Sequence, residues 1–282
     1  MRRTKDYKID FDLKARWGTP HSIMRFTKSQ VKLQEVCNLV SKDESVEWIK
    51  RDGLHFGETT IPVYGMAADH AEFLITYYTP EGGTILDCFQ GRGTHGFACL
   101  EHGRKFIGYD VFDRNITRTK EVMDEYYPDS DYQLFHSDGT ELAELSDKSE
   151  YLDGVVADPP YFLKCERYST DERDLSGMSH EEQMDKMKNC FKQIYRLIKT
   201  SNFDEKIFYP VIFKVTHARK GTRGIIDMDM EFQKIAHEVG FVTYDKLFNQ
   251  LHSPWGTVNW ERNYLNRIVM KNYEVNLTFV KF

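Results

Sequence analysis

A chain of 282 residues with 40% apolar and 29% charged side chains has ordinary globular composition, long enough for one large domain or a domain with an arm. No run approaches the roughly 20 apolar residues of a membrane helix and no signal peptide is visible, so a cytoplasmic protein is expected. Five scattered cysteines without a Cys-x-x-Cys pair argue against a disulfide framework or a structural metal, and a net charge of −6 excludes a uniformly basic nucleic-acid binder.

The charge is unevenly spread. Residues 1–30 carry Arg2, Arg3, Lys5, Lys8, Lys14, Arg16, Arg25 and Lys28 against Asp6, Asp10 and Asp12, a local +5. Such a stretch is either a solvated tail or a phosphate-binding one. Residues 1–60 read as a helical arm without a legible role, and 61–282 as the functional domain. A helix is predicted over 67–78, with His70 read as a satisfied core or surface histidine. A strand over 84–86, a glycine turn and a helix over 94–102 closed by Gly103 follow. The next strand, 105–109, ends in Asp110, and a third short strand leads to Phe135-His136-Ser137-Asp138. Gly154-Val155-Val156-Ala157 is a further buried strand. Segment 165–178 is polar and reads as a flap. Ser179 and Glu182 form a capping box in front of Met184, Met187, Phe191, Ile194, Tyr195 and Ile198 at helical spacing, which makes the methionines core filler. Strands over 207–215, 241–248 and 274–281 and a helix over 229–239 closed by Gly240 complete the pattern. Alternating strands and helices imply an α/β domain, with a mostly parallel sheet covered on both faces.

Two motifs carry chemistry. In Asp87-Cys88-Phe89-Gln90-Gly91-Arg92-Gly93-Thr94 the glycines allow close backbone approach to a ligand, and the helix start offers free N–H groups. Asp110, 19 residues beyond Gly91, suits the two hydroxyls of a ribose. Gly91 to Gly96 also matches GxGxxG, which leaves a nicotinamide or flavin oxidoreductase open. The second motif is Asp158-Pro159-Pro160-Tyr161, where a buried strand runs into a loop stiffened by two prolines. The loop offers a carboxylate, two carbonyls and a ring face. Those are the groups that would grip the hydrogens of an aromatic amine, free its lone pair and hold its ring flat.

Asp-x-Phe-x-Gly-x-Gly-Thr followed 71 residues later (Asp87 to Asp158) by Asp-Pro-Pro-Tyr resembles the S-adenosylmethionine-dependent DNA amino-methyltransferases of the adenine-N6 and cytosine-N4 class. The resemblance spans about residues 70–282. It implies a Rossmann-like class I methyltransferase fold, a mostly parallel seven-stranded sheet with the last strand antiparallel and helices on both faces. It further implies that Phe89, Gly91, Gly93 and Thr94 wrap the methionine part of S-adenosylmethionine and that Asp110 holds its ribose. Asp138 would meet the adenine ring, and Asp87 would orient the loop or reach the cofactor's amino group. Asp158, Pro159, Pro160 and Tyr161 become the catalytic set, acting on a base flipped from double-stranded DNA, with Phe162 a second wall. Adenine-N6 is favoured by Asp before Pro-Pro-Tyr. Cytosine-N4, RNA or protein amino groups, and a non-catalytic nucleic-acid-binding module remain alternatives. For phosphate contact the sequence offers Lys214, Arg219, Lys220 and Arg223, in a stretch (213–224) with four positive charges and no acid. Segment 252–266, with Trp255, Trp260, Arg262 and Tyr264, either stacks on bases or closes the sheet.

Overall fold

The computed structural model describes residues 23–24, 32–40, 66–160, 169, 171–216, 218–219, 225–250 and 273–282. In chain order these form β1 (Ile23–Met24), α1 (Lys32–Leu39), α2 (Ala68–Tyr78), β2 (Thr84–Asp87), α3 (Thr94–Glu101), β3 (Lys105–Asp110), α4 (Asp113–Tyr126), β4 (Tyr132–His136) and β5 (Gly154–Ala157). They continue with α5 (His180–Leu197), β6 (Val211–Val215), β7 (Ala218–Arg219), β8 (Ile225–Ile226), α6 (Met228–Val239), β9 (Val242–Gln250) and β10 (Tyr273–Val280).

Eight strands make one sheet in the order β1-β9-β10-β6-β5-β2-β3-β4. Strands β4, β3, β2, β5 and β6 are parallel, and β10 runs antiparallel between β6 and β9. The seven-stranded, mostly parallel sheet implied by the motifs is therefore present, with two-residue β1 added in parallel on β9. β7 and β8 form a separate antiparallel ribbon after β6.

Helices cover both faces, as apolar strands buried on both sides require. On one side α5 and α6 pack Met187, Phe191, Ile194 and Phe232 onto Val155, Phe213, Leu277 and Phe279. Phe191 is the hub, its ring centroid 4.8 Å from Phe213 and 5.6 Å from Phe279. On the other side α1 to α4 pack Val36, Phe73, Ile75, Phe97 and Met123 onto Ile85, Phe106, Val156 and Ile212. The described parts of segment 1–60 thus enter the domain, β1 as an edge strand and α1 in this helical layer.

Local signals place the element ends. Ser179 and Glu182 form the reciprocal capping box of α5. Gly240 closes α6 at φ 116°. The strand expected over 207–215 begins only at Val211, because Pro210 lacks an N–H and Ile207 pairs with Asn202 in an isolated bridge. Every parallel strand points its carboxyl end the same way, and the candidate residues gather along that edge.

Candidate active site

The glycine loop leaves β2 and enters α3. Gly91 and Gly93 have φ of 52° and 76°, left-handed conformations that side chains disfavour. At Gly93 a Cβ would also stand 2.5 Å from Thr119 Cγ2, so that position is closed to any other residue on two counts. At Gly91 a Cβ would meet none of the described residues within 4 Å.

Three aspartates frame this loop. Asp87 is buried; its Oδ1 accepts the Phe89 N–H at 2.9 Å and its Oδ2 lies 2.7 Å from His95 Nδ1. These contacts tie it to the loop that follows β2 and to the first turn of α3. Asp110 accepts from the N–H groups of Gly91 (2.9 Å) and Phe112 (2.7 Å) and from Asn115 Nδ2 (3.2 Å). Burial pushes its carboxyl up to about 7, against the pull of those hydrogen bonds. Asp138 accepts from the Thr140 N–H and hydroxyl at 2.9 and 2.6 Å, and pairs with Lys186 at 3.1 Å. Its carboxylate is thus built into a turn and an ion pair at the end of β4.

Asp158 follows β5 on the same edge, with 26% of its side chain open. Pro159 is buried and Pro160 half-buried. Tyr161 and Phe162 lie outside the described residues, as do Lys220, Arg223, segment 252–266 and most of the 165–178 flap. Of Arg219 only the backbone, in β7, is described.

Lys214 is a correction. Read as a phosphate contact, it is instead 6% exposed and turned inward from β6, its Nζ 2.6 Å from Asp158 Oδ2 and 3.2 Å from Glu274 Oε1. The physical reason is strand alternation: Phe213 and Val215 face α5 and α6, so Lys214 must face the other helical layer. Burial raises the Asp158 carboxyl and Glu274 adds to the rise, while Lys214 and His95 oppose it.

Four further residues that the motifs did not flag join the site. Glu274 and Asn276 come from β10, Asn249 from β9, and His95 from the first turn of α3. Asn249 Nδ2 lies 3.2 Å from Glu274 Oε2 and 3.4 Å from His70 Nδ1; Asn276 Nδ2 lies 3.1 Å from His70 Nε2. Burial, Lys214 and His95 all hold the His70 pKa well below its ordinary value, so the ring is neutral and has one N–H. Asn276 Nδ2 also donates to the Leu247 carbonyl at 3.5 Å. His70 is the satisfied core histidine expected. The signal available for Lys214 was a lysine inside a fully apolar strand, which demands a buried partner.

Residues 64–121, which hold α2, the glycine loop and Asp110, match the N6/N4 methyltransferase profile described as DNA methylase. Over this segment the chain is similar to the N6/N4 DNA methylase family. The type II methyltransferase M.BglI of Bacillus subtilis is 34% identical over 98 residues, 32% of this chain. That stretch spans 27% of M.BglI's own length. Among solved structures, the [4+2]-cyclase SpnF covers 92% of this chain and 98% of its own at 13% identity, with a TM-score of 0.53. A SAM-dependent methyltransferase from Methanosarcina mazei covers 74% of this chain and 97% of its own, also at 13% identity, with a TM-score of 0.50. These likenesses establish the class I methyltransferase fold. A cyclase and a methyltransferase share this scaffold, so the fold alone does not fix the reaction.

Among the described residues no helix is long and apolar enough to cross a membrane.

Proposed function

We propose that this protein is an S-adenosylmethionine-dependent DNA methyltransferase acting on the exocyclic amino group of a flipped base, adenine-N6 in preference to cytosine-N4. The observation that carries the reading is the placement of Asp158-Pro159-Pro160 beside the glycine loop, with Asp158 held by a buried lysine. The space left beside Gly91 by the described residues, the left-handed turn at Gly93 and the half-buried Asp110 fit the cofactor, so Phe89, Gly91, Gly93, Thr94 and Asp110 would hold it. When bound there, S-adenosylmethionine would supply a sulfonium methyl group for transfer to the amino nitrogen, the S–C electron pair staying with sulfur.

The chain's own part is positioning. Asp158 Oδ1 and the Pro159 carbonyl accept the two amino hydrogens and turn the lone pair out of the ring. The proton that the alkylated nitrogen must lose leaves along the bond to Asp158 and passes to water. Tyr161 stacks on the base, and flipping costs roughly a few kcal/mol. With Lys214 committed inside, Arg219, Lys220, Arg223 and the basic 1–30 stretch remain to meet phosphates.

Labelled methyl transfer to mixed-sequence duplex DNA, followed by nucleoside mass spectrometry, tests the reading. Methyladenine is the expected product. Methylcytosine would move the protein to the N4 branch, and absence of label from DNA with cofactor binding intact would refute the proposal.

A further inference from the structure

A buried polar ladder crosses the sheet next to Asp158. Strand alternation places Lys214 on β6, Glu274 and Asn276 on β10 and Asn249 on β9 on one face, beneath α2 and α3. The register sets Lys214 opposite Asn276, and Glu274 opposite Asn249. All four side chains are buried. A lysine in such a place keeps its charge only beside carboxylates, and Lys214 has two.

We propose that Lys214 and Glu274 are positioning residues for Asp158: Lys214 clamps Oδ2 so that Oδ1 faces the target amino group, and Glu274 sets how much of the lysine's charge Asp158 experiences. The inference rests on Asp158 acting on that amino group. Its chemical logic lies in where charge develops. Methyl transfer moves positive charge from sulfur onto the amino nitrogen, and a lysine paired with Asp158 alone would leave a neutral pair there. With Glu274 included, one cation and two carboxylates leave a net −1, which attracts the developing charge. Among the described residues, His95 on α3, paired with Asp87 at the end of β2, also acts on Asp158, and the neutral His70 on α2 faces Lys214.

The two residues act on Asp158 with opposite sign, which gives a test that a merely structural role would fail. The pH dependence of methyl transfer to mixed-sequence duplex DNA is measured for the parent protein, Lys214→Met, Glu274→Gln and Asp158→Ala. Removing the lysine raises the Asp158 pKa, so the acid limb of the Lys214→Met profile moves to higher pH by one unit or more. Removing Glu274 lowers that pKa, and the Glu274→Gln limb moves to lower pH. Limbs that coincide with the parent's, however slow the variants, overturn the inference. If circular dichroism finds Lys214→Met unfolded, the isosteric Glu274→Gln decides alone: a downward shift supports the inference and no shift overturns it. Turnover within a few-fold of the parent's in Asp158→Ala would remove the reading of Asp158 itself and this inference with it. An inactive Asp158→Ala with unshifted limbs overturns the inference only.

Discussion

The two halves of the site hold their carboxylates in different ways. On the β2–β3 side Asp87 and Asp110 are held mainly by backbone N–H groups of the two adjacent loops, from Phe89, Gly91 and Phe112, with the His95 and Asn115 side chains beside them. On the β5–β6 side Asp158 is fixed by a side chain, Lys214, which a third strand holds in turn. The first arrangement is local and rigid, suited to gripping a cofactor whose shape does not change. The second is electrostatic and built from distant segments, suited to a group whose charge must answer to a reaction. Backbone donors cannot be tuned by substitution. A lysine shared between two carboxylates can.

The largest expected effect separates the halves outright. Asp158→Ala should reduce methyl transfer by roughly 10²-fold or more, on the scale of losing one preorganised charge-stabilising group. Calorimetric affinity for S-adenosylmethionine should stay within a few-fold of the parent, whereas a parallel loss of affinity would merge the two halves. Gly93→Val should do the reverse. It forces a β-branched residue to φ 76° and a Cβ to within 2.5 Å of Thr119, at a cost of about 1–3 kcal/mol, and weakens cofactor binding first. The double variant with Thr119→Ser should recover part of that loss in thermal unfolding, because the clashing methyl is gone while the φ penalty stays.

A subtler contrast comes from pH. In its proposed role Asp110, pushed up to about 7 by burial, would have to be ionised to accept both ribose hydroxyls, so cofactor affinity should fall as pH drops below about 7. Asp110→Asn should flatten that dependence. The sign for stability is opposite: between the unfolded carboxyl pKa near 4 and about 7 the folded state holds the extra proton. Asp110's contribution to stability therefore declines as pH rises through that window, and Asp110→Asn should abolish the decline in denaturant melts. The smallest effect lies away from both halves. Ser179→Ala removes the α5 capping box for about 1 kcal/mol, lowering Tm by a few degrees without altering the pH profile.

What the sequence revealed follows the same division. The glycine loop, Asp110 and the α5 cap are made by residues within a few positions or one strand of each other, so spacing alone exposes them. Lys214 stands in a run with Arg219, Lys220 and Arg223, and proximity to those charges made it look like one of them. Only the pairing of β6 with β5 and β10 turns it inward. Glu274 and Asn276 sit on a strand whose alternation was legible, yet nothing local says that its polar face meets a lysine 60 residues earlier. His95 was visible only as a filler position of a glycine fingerprint; its pairing with Asp87 depends on how α3 leaves the loop.

Strand order in the sheet also bears on how the molecule is assembled. β9 is translated before β10 but lies outside it, with β10 inserted between β9 and β6. During synthesis β9 therefore has no place on the growing parallel sheet until residues 273–280 have left the ribosome. Those same residues bring Glu274 and Asn276. The β2–β3 side can close early around its own backbone, while the Asp158–Lys214 pair gains Glu274 only when this late strand slides into the gap.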